Sequence, residues 1–422
     1  MSNAIGRQLG DFIVPGSRIF VPGATGEPQG LLDQMALMPD LSAGTTYVQF
    51  PIGGLNTTDF SAWHRDARVE AFFMSPALRS GFAEGRVDFL PMHMRRVYDH
   101  IGNGPTFDAV LVQAARDAEG VLRHTFNLDF LPAALANTRS IVVQENPEIN
   151  PPSGAPAIDE AGIALILDVA SPVPEMQPAP LDDAAEAIGA LVAELIPNGA
   201  CIQTGIGAIP QAILAALSEH NDLGMHGGLI DDAGLALIHR GVITGVRKRI
   251  DQGSHIAGIA MGTGALYQAL ADAPSVVFKP ANYTHEVGVI SQLDDFVSIN
   301  SAVEIDIFGQ VSAEMVAGRQ ISGTGGSVDF MRGAAASNGG LSIVALNATA
   351  KAGQVSRIVP ALREGSATTA ARTDIDLVVT EYGVAKLKGG SVDSRAQALI
   401  DIAAPDFRDE LRESWRERRR AL

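Results

Sequence analysis

The sequence predicts an α/β protein of two related domains, each built on a mostly parallel sheet. Three observations carry this reading. Short apolar runs alternate with stretches of helical periodicity along the chain. Several of the runs are β-branched on both faces, as strands buried in parallel sheets are. The chain also resembles itself. Residues 15–32, PGSRIFVPGATGEPQGLL, run parallel to residues 197–214, PNGACIQTGIGAIPQAIL. Gly16 and Ile19 match Gly199 and Ile202. After a one-residue slip, Gly23, Gly26, Pro28 and Gln29 face Gly205, Ala208, Pro210 and Gln211. A repeat at that separation suits a duplicated domain rather than a solenoid. The plainer alternative is that any strand–glycine turn–helix unit looks this way.

The elements follow in order. AVLVQAA, SIVVQEN and AGIALILDVA are the strand candidates of the first half. The proline-rich SPVPEMQPAP (171–180) reads as an extended linker, so the N-terminal domain is placed at 1–170 and the C-terminal domain at 181–422. Ile188, Leu191, Val192 and Leu195 then recur at helical spacing. ACIQTG, SVVFKP, LSIVAL and IDLVVTEYG are the strands expected in the second half. From Asp406 the chain is a charged helix whose arginine-rich end suits the negative pole of the helix dipole.

Composition narrows the function. A chain of 422 residues, 46% hydrophobic and 19% charged, can bury a core in each half and is not disordered. Forty-eight acidic residues against 31 basic ones repel a polyanionic backbone, and 5% aromatics make a poor stacking platform. Nucleic acid is therefore not an expected partner. Cys201 alone offers neither a disulfide framework nor a thiolate zinc site. No apolar run approaches the ~18 residues of a membrane span, and the first residues lack a signal-peptide core. The expectation is a cytoplasmic protein with no membrane partner.

Three motifs can carry chemistry. GIGAIP (205–210) follows an apolar run and opens a helix, exposing backbone N–H groups that suit phosphate or carboxylate. It is not the dinucleotide fingerprint, because Pro210 stands where the third glycine belongs. SGTGGSVDF (322–330) is a second glycine-rich turn, without the Lys-Ser/Thr of a P-loop. SINSAVEIDIFGQ (298–310) carries Asn300, an amide suited to an oxyanion, and places Glu304 and Asp306 on one face of a strand. An edge strand with one solvated side would look the same. There is no Gly-x-Ser-x-Gly elbow, and THEVG (284–288) lacks the second histidine of a zincin helix. No metal is expected.

Together the segments resemble the acetyl-CoA hydrolase/transferase family, the class I CoA-transferases that include 4-hydroxybutyrate CoA-transferase. The resemblance rests on GRVDFLPMHM (85–94), ENPEINPPSG (145–154), IQTGIGAIPQAIL (202–214), SINSAVEIDIFGQ, SGTGGSVDFMRGA (322–334), SRIVPAL (356–362), VVTEYGVAKLKG (378–389) and PDFRDEL (405–411). It implies two related α/β domains with the active site between them. In that family a glutamate carboxylate attacks an acyl-CoA thioester, and a glutamyl-CoA thioester follows that an acceptor carboxylate opens. No cofactor is implied; coenzyme A enters as part of the substrate. The partners implied are an acyl-CoA, a small carboxylate and a second copy of the chain. Asn300 becomes the oxyanion donor. Gly205, Ile206 and Gly207, with Gly323, Gly325 and Gly326, would line the CoA and acyl pocket; PIGGLNTTDF (51–60) is either a structural loop or a further part of that pocket.

One segment departs from the family. Its nucleophilic glutamate lies in a stretch resembling His-Thr-Glu-Met, and here LGMHGGLIDD puts Gly228 at that position. No glutamate lies between Glu219 and Glu286, so a small shift in alignment restores none. Three readings stay open. Another carboxylate serves, from Glu286, Glu304, Asp231 and Asp232; or the protein is a thioester hydrolase with water in place of the missing side chain; or it binds acyl-CoA without turnover, as a partner of a glutamate-bearing paralogue.

Overall fold

In the computed structural model, which describes residues 8–421, the first half of the chain builds a sheet of eight strands. These are β1 (Arg18–Val21), β2 (Thr46–Gln49), β3 (Arg68–Ala71), β4 (Val87–Phe89), β5 (Ala109–Arg116), β6 (Leu122–His124), β7 (Ile141–Glu145) and β8 (Leu165–Asp168). The order is β4-β3-β2-β1-β5-β7-β8, all parallel, with β6 antiparallel to β5. Both faces of the central strands are covered, which is why Ile19–Val21 of β1 and Ala109–Val112 of β5 are unbroken apolar runs. Ile19 and Val21 of β1, with Ala109 and Leu111 of β5, enter one core; Phe20, Val110 and Val112 enter the other.

From β1 the chain moves to β2 on one side and later returns to β5 on the other. The boundary of β1 and β5 is thus the switch point, where open α/β sheets bind ligands beyond the carboxyl ends of the strands.

The second half repeats this plan. Its strands include β9 (Cys201–Thr204), β10 (Gly224–Met225), β11 (Leu229–Ile230), β12 (His255–Ala257), β13 (Ile259–Ala260), β14 (Val276–Phe278) and β15 (Phe296–Ser301). The main sheet runs β10-β9-β15, then Leu341–Ala345, Leu377–Thr380 and the antiparallel Gly383–Lys386. Here the switch point lies between β9 and β15. Gly16 and Gly199, matched in the repeated segments, share a φ of 84° just before β1 and β9, a conformation that favours glycine.

The chain divides into two units, but not at a single point. One unit takes the chain to Gln177 together with Gly228–Asp232 and Ile256–Thr284; the other takes Pro178–Gly227, Ala233–His255 and the remainder from His285. The expected division into 1–170 and 181–422 is corrected accordingly. The cause is pairing: β11 pairs with β13 rather than with the second main sheet, and the Ala260 N–H donates to the Phe126 carbonyl at 2.8 Å. Ala281 is buried in a core of the first unit. SVVFKP does form a strand, β14, but among the described residues it pairs with β12 and not with the main sheet.

The proline-rich segment is extended but is not a free linker up to Gln177. The Asn146 amide donates to the Ser171 carbonyl at 2.7 Å, and the Tyr267 hydroxyl donates to the Pro174 carbonyl at 2.8 Å. At the C-terminus, the helix Arg408–Ala421 buries Leu411 and Trp415, so it is a packed element with one charged side. No helix among the described residues is long and apolar enough to cross a membrane.

Candidate functional site

In the second unit, β9 ends at Thr204 and Gly205–Gly207 turns the chain into the helix Ala208–Ala216. Gly207 caps that helix with a φ of 114°, which excludes a side chain on steric grounds. Ile206, at the tip of the turn, is exposed although apolar. The helix Ser327–Ala336 is opened by Gly326 and preceded by Gly325 at a φ of 66°. Each helix connects two parallel strands and runs back along the sheet. Both N-termini therefore lie at the carboxyl edge, with backbone N–H groups pointing outward.

Asn300 belongs to the same edge. It stands in β15 one residue beyond the pair Ile299–Thr204, as Gly205 stands one residue beyond the end of β9. Its side chain is held by a polar network. Asn300 Nδ2 donates to Gln203 Oε1 at 3.1 Å and to Ser298 Oγ at 2.9 Å, and Asn300 Oδ1 accepts from Gln203 Nε2 at 3.4 Å. This reciprocal pairing fixes the amide plane, as an oxyanion donor requires. Gly227 lies against Gln203: a Cβ there would come within 3.3 Å of the Gln203 side chain.

His226 precedes Gly227 and is wholly buried, as is His285 nearby. Burial, with His226 as the second cause, pushes His285 down to about 3, so it is a neutral ring at physiological pH. Burial pushes the Cys201 thiol up to about 12, which leaves it unreactive.

The expected carboxylates do not converge. Glu286 caps the short helix Val287–Ile290, accepting from the Gly288 N–H at 3.3 Å. Glu304 and Asp306 are buried in the central strand of a three-stranded sheet, which excludes the alternative of a solvated edge strand. Ser366 donates to Glu304 at 3.4 Å and Arg363 stands 3.7 Å away; Asp306 accepts from the Phe308 and Gln310 backbone. Asp232 is occupied by Thr263, accepting from its N–H at 3.0 Å and its hydroxyl at 2.6 Å. Asp231 lies partly buried just before the helix Asp232–His239.

Gly228 belongs to the first unit, where its carbonyl accepts from the N–H groups of Gly258 at 3.0 Å and Ile259 at 2.9 Å. The same unit holds two buried acids that sequence reasoning missed. Glu27 ends the turn after β1, at the switch point of the first sheet. Its carboxylate accepts from the Asn56 amide, whose Oδ1 also accepts from the N–H groups of Ala24 at 2.7 Å and Ile52 at 2.8 Å. PIGGLNTTDF is thus the brace of this turn. Burial pushes Glu27 up to about 7 against the opposing hydrogen bonds of Asn56 and Thr58. The turn reaches β13 through Thr25, whose hydroxyl donates to the Ala260 carbonyl at 2.9 Å. Ala24 and Leu55 pack with Ile259 and Leu229.

Asp129 is the second missed acid. It is 1% exposed, and neither of its carboxyl oxygens has a hydrogen-bond partner among the described residues. Burial holds it well above the ordinary carboxylate range. A signal for each acid was available. Glu27 faces Ile209 in the repeated segment, and Asp129 interrupts the apolar run FNLDFLP.

Comparisons with known proteins agree with this architecture. The family model of the acetyl-CoA hydrolase/transferase C-terminal domain matches residues 262–415. A 4-hydroxybutyrate coenzyme A transferase of Clostridium kluyveri is 36% identical over 404 residues, 95% of this chain and 94% of that one. A butyryl-CoA:acetate CoA-transferase of Anaerostipes caccae is 39% identical over 344 residues, 79% of this chain and 75% of that one. The solved structure of a 4-hydroxybutyrate CoA-transferase from Porphyromonas gingivalis is 30% identical, covers 98% of this chain and 97% of that one, and superposes with a TM-score of 0.82. The two sheets, their glycine turns and this likeness over nearly the whole chain lead to one conclusion: the chain belongs to the acetyl-CoA hydrolase/transferase family.

Proposed function

We propose that the chain opens the thioester of a small acyl-CoA, in the manner of the CoA-transferases it resembles. The observation that carries this is the Asn300–Gln203–Ser298 network at the carboxyl edge of the second sheet, flanked by two glycine-opened helices. Backbone N–H groups at the helix starts suit the anionic parts of a CoA ester. Asn300 would exchange its N–H from Ser298 Oγ to the oxyanion that forms as the thioester carbonyl is attacked. Gln203 would keep the amide in place while it does so. No cofactor enters the reaction.

Transfer of CoA to a small carboxylate is the first reading, after the activities of the relatives. It needs a carboxylate nucleophile, and Gly228 supplies none at the position where the family resemblance puts it. Hydrolysis is the second reading, favoured by Gly228 itself, whose missing side chain leaves room for water where the family resemblance puts the carboxylate. The test is incubation with a panel of short acyl-CoAs, with and without acetate, scoring new CoA esters and free CoA. Asn300→Ala should lower turnover by about 10²–10³-fold while acyl-CoA still raises the melting temperature. Wild-type protein that turns over no acyl-CoA under either condition would remove the proposal.

A further inference from the structure

We propose that Glu314 is a positioning residue for the acyl-CoA: it anchors the glycine turn at 322–326, whose backbone N–H groups receive the anionic oxygens of the ester; the inference rests on the acyl-CoA function proposed above.

The two glycine turns of the second unit are reached differently. Gly205–Gly207 follows β9 directly, so the main sheet fixes its start. The turn at 322–326 instead follows a two-stranded hairpin, Met315–Val316 against Arg319–Gln320, that stands apart from the main sheet. Ala317 and Gly318 close that hairpin at φ of 51° and 75°, and Val316 to Arg319 are all exposed. At its far end the turn is held by the helix Ser327–Ala336, whose Val328, Phe330 and Met331 are buried. Its near end needs an anchor of another kind.

Glu314 is that anchor, through its side chain and its backbone together. It is 4% exposed. One carboxylate oxygen accepts from the Thr369 hydroxyl at 2.9 Å and the other from Gln320 Nε2 at 2.7 Å. The same Gln320 nitrogen donates to the Ser322 carbonyl at 3.0 Å. The Glu314 carbonyl accepts from the Ile321 N–H at 2.9 Å and the Ser322 N–H at 3.4 Å. Thr369 is itself fixed: its hydroxyl oxygen accepts from the Ala313 N–H at 3.0 Å, and its own N–H donates to the Val311 carbonyl at 2.8 Å. Val311 belongs to the core of the second unit. A chain of hydrogen bonds thus runs from that core through Thr369, Glu314 and Gln320 to Ser322, where the turn begins.

A carboxylate buried among uncharged partners costs folding free energy. What it provides is geometry. With a donor at each oxygen, Glu314 acts as an acceptor only and draws Thr369 and Gln320 together. Glutamine at 314 would set an N–H against one of those donors and open the contact. Beyond the tethered Ser322, the N–H groups of Gly323, Thr324, Gly325 and Gly326 have no hydrogen-bond acceptor among the described residues. Gly325 at a φ of 66° and Gly326 at −103° alternate in hand, which aims successive N–H groups to one side. Such donors bind well when their backbone is held before the ligand arrives. The hairpin cannot hold it alone, and the Glu314 tether does.

The experiment measures acetyl-CoA binding by calorimetry, KM and kcat for acetyl-CoA, and the melting temperature, for wild type, Glu314→Gln and Gln320→Ala. Both variants should bind acetyl-CoA about 10-fold more weakly and show KM raised by a similar factor, with kcat within about 3-fold of wild type. A purely structural role would lower the melting temperature and the folded fraction, and with it the apparent kcat, while KM stayed unchanged. S-acetylpantetheine, which lacks the nucleotide, is run beside acetyl-CoA. A loss shared by both places the turn at the thioester, a loss confined to acetyl-CoA places it at the phosphates, and either supports the proposal. Binding and KM within about 2-fold of wild type in both variants would overturn it and leave the acyl-CoA function standing. Wild type that binds no acetyl-CoA would remove both. Where wild type binds without turnover, the proposed function falls and the binding constants decide for or against Glu314. Should Glu314→Gln fail to fold, Gln320→Ala decides alone, because it cuts the tether to Ser322 at a half-buried side chain and leaves the Glu314–Thr369 bond in place.

Discussion

Glu27 sits where the second copy of the repeated segment carries Ile209, and its burial makes stability depend on pH. Its carboxyl titrates at about 7 in the folded chain against an ordinary value of 4.5. Between those limits the folded protein keeps a proton that the unfolded chain has lost, so stability falls as pH rises through the window and is level above it. Glu27→Gln keeps an oxygen for the Asn56 amide and removes the titration. The variant should match wild type near pH 4.5 and gain stability toward pH 8, by on the order of 3 kcal/mol. Urea melts at both pH values check this, and an equal difference at both would refute it. Such a residue is hard to read from sequence, because an acid in a glycine turn looks solvated until the loop that covers it is known. Asn300 was readable, since an amide in a strand beside a glycine turn is a chemical choice. The Gln203 amide that orients it was not, because its pairing is set by sheet register across 97 residues of chain.

The helix Arg408–Ala421 shows the same limit at the scale of an element. Its charge made it legible as a helix, and its acidic start and arginine-rich end follow the dipole. Leu411 and Trp415, four apart, were the sign of a buried stripe. Trp415 meets Phe308 with ring centroids 5.6 Å apart, and its indole N–H donates to Asp393 at 3.2 Å. Trp415→Ala should therefore cost about 3–5 kcal/mol, as other large core truncations do. A loss below about 1 kcal/mol in denaturant melts would show the helix to be dispensable. Strands β5, β7, β8 and β9 were legible because buried parallel strands leave long apolar runs. β11 and β13, two residues each, leave no such pattern, yet Gly228 and Gly258 stand immediately before them.

At the scale of the whole molecule, the duplication was visible in matched glycines, while the interleaving of the two units was not. Local periodicity reports which residues are buried, not which sheet buries them. The segments Gly228–Asp232 and Ile256–Thr284 return to the first unit because the loops around Thr25 and Leu128 hold backbone partners for them.

That return has a consequence for inheritance. A gene broken at the proline strap would encode a first fragment ending near Gln177, whose Thr25 hydroxyl and Leu128 N–H have their acceptors on the other fragment. Expressed alone, residues 1–177 should remain unfolded by circular dichroism; co-expressed with 178–422, they should refold and co-purify, and a folded lone fragment would refute this. A duplication that began as two copies has thus become a single unit of selection: recombination can no longer exchange one half without the segments that complete it.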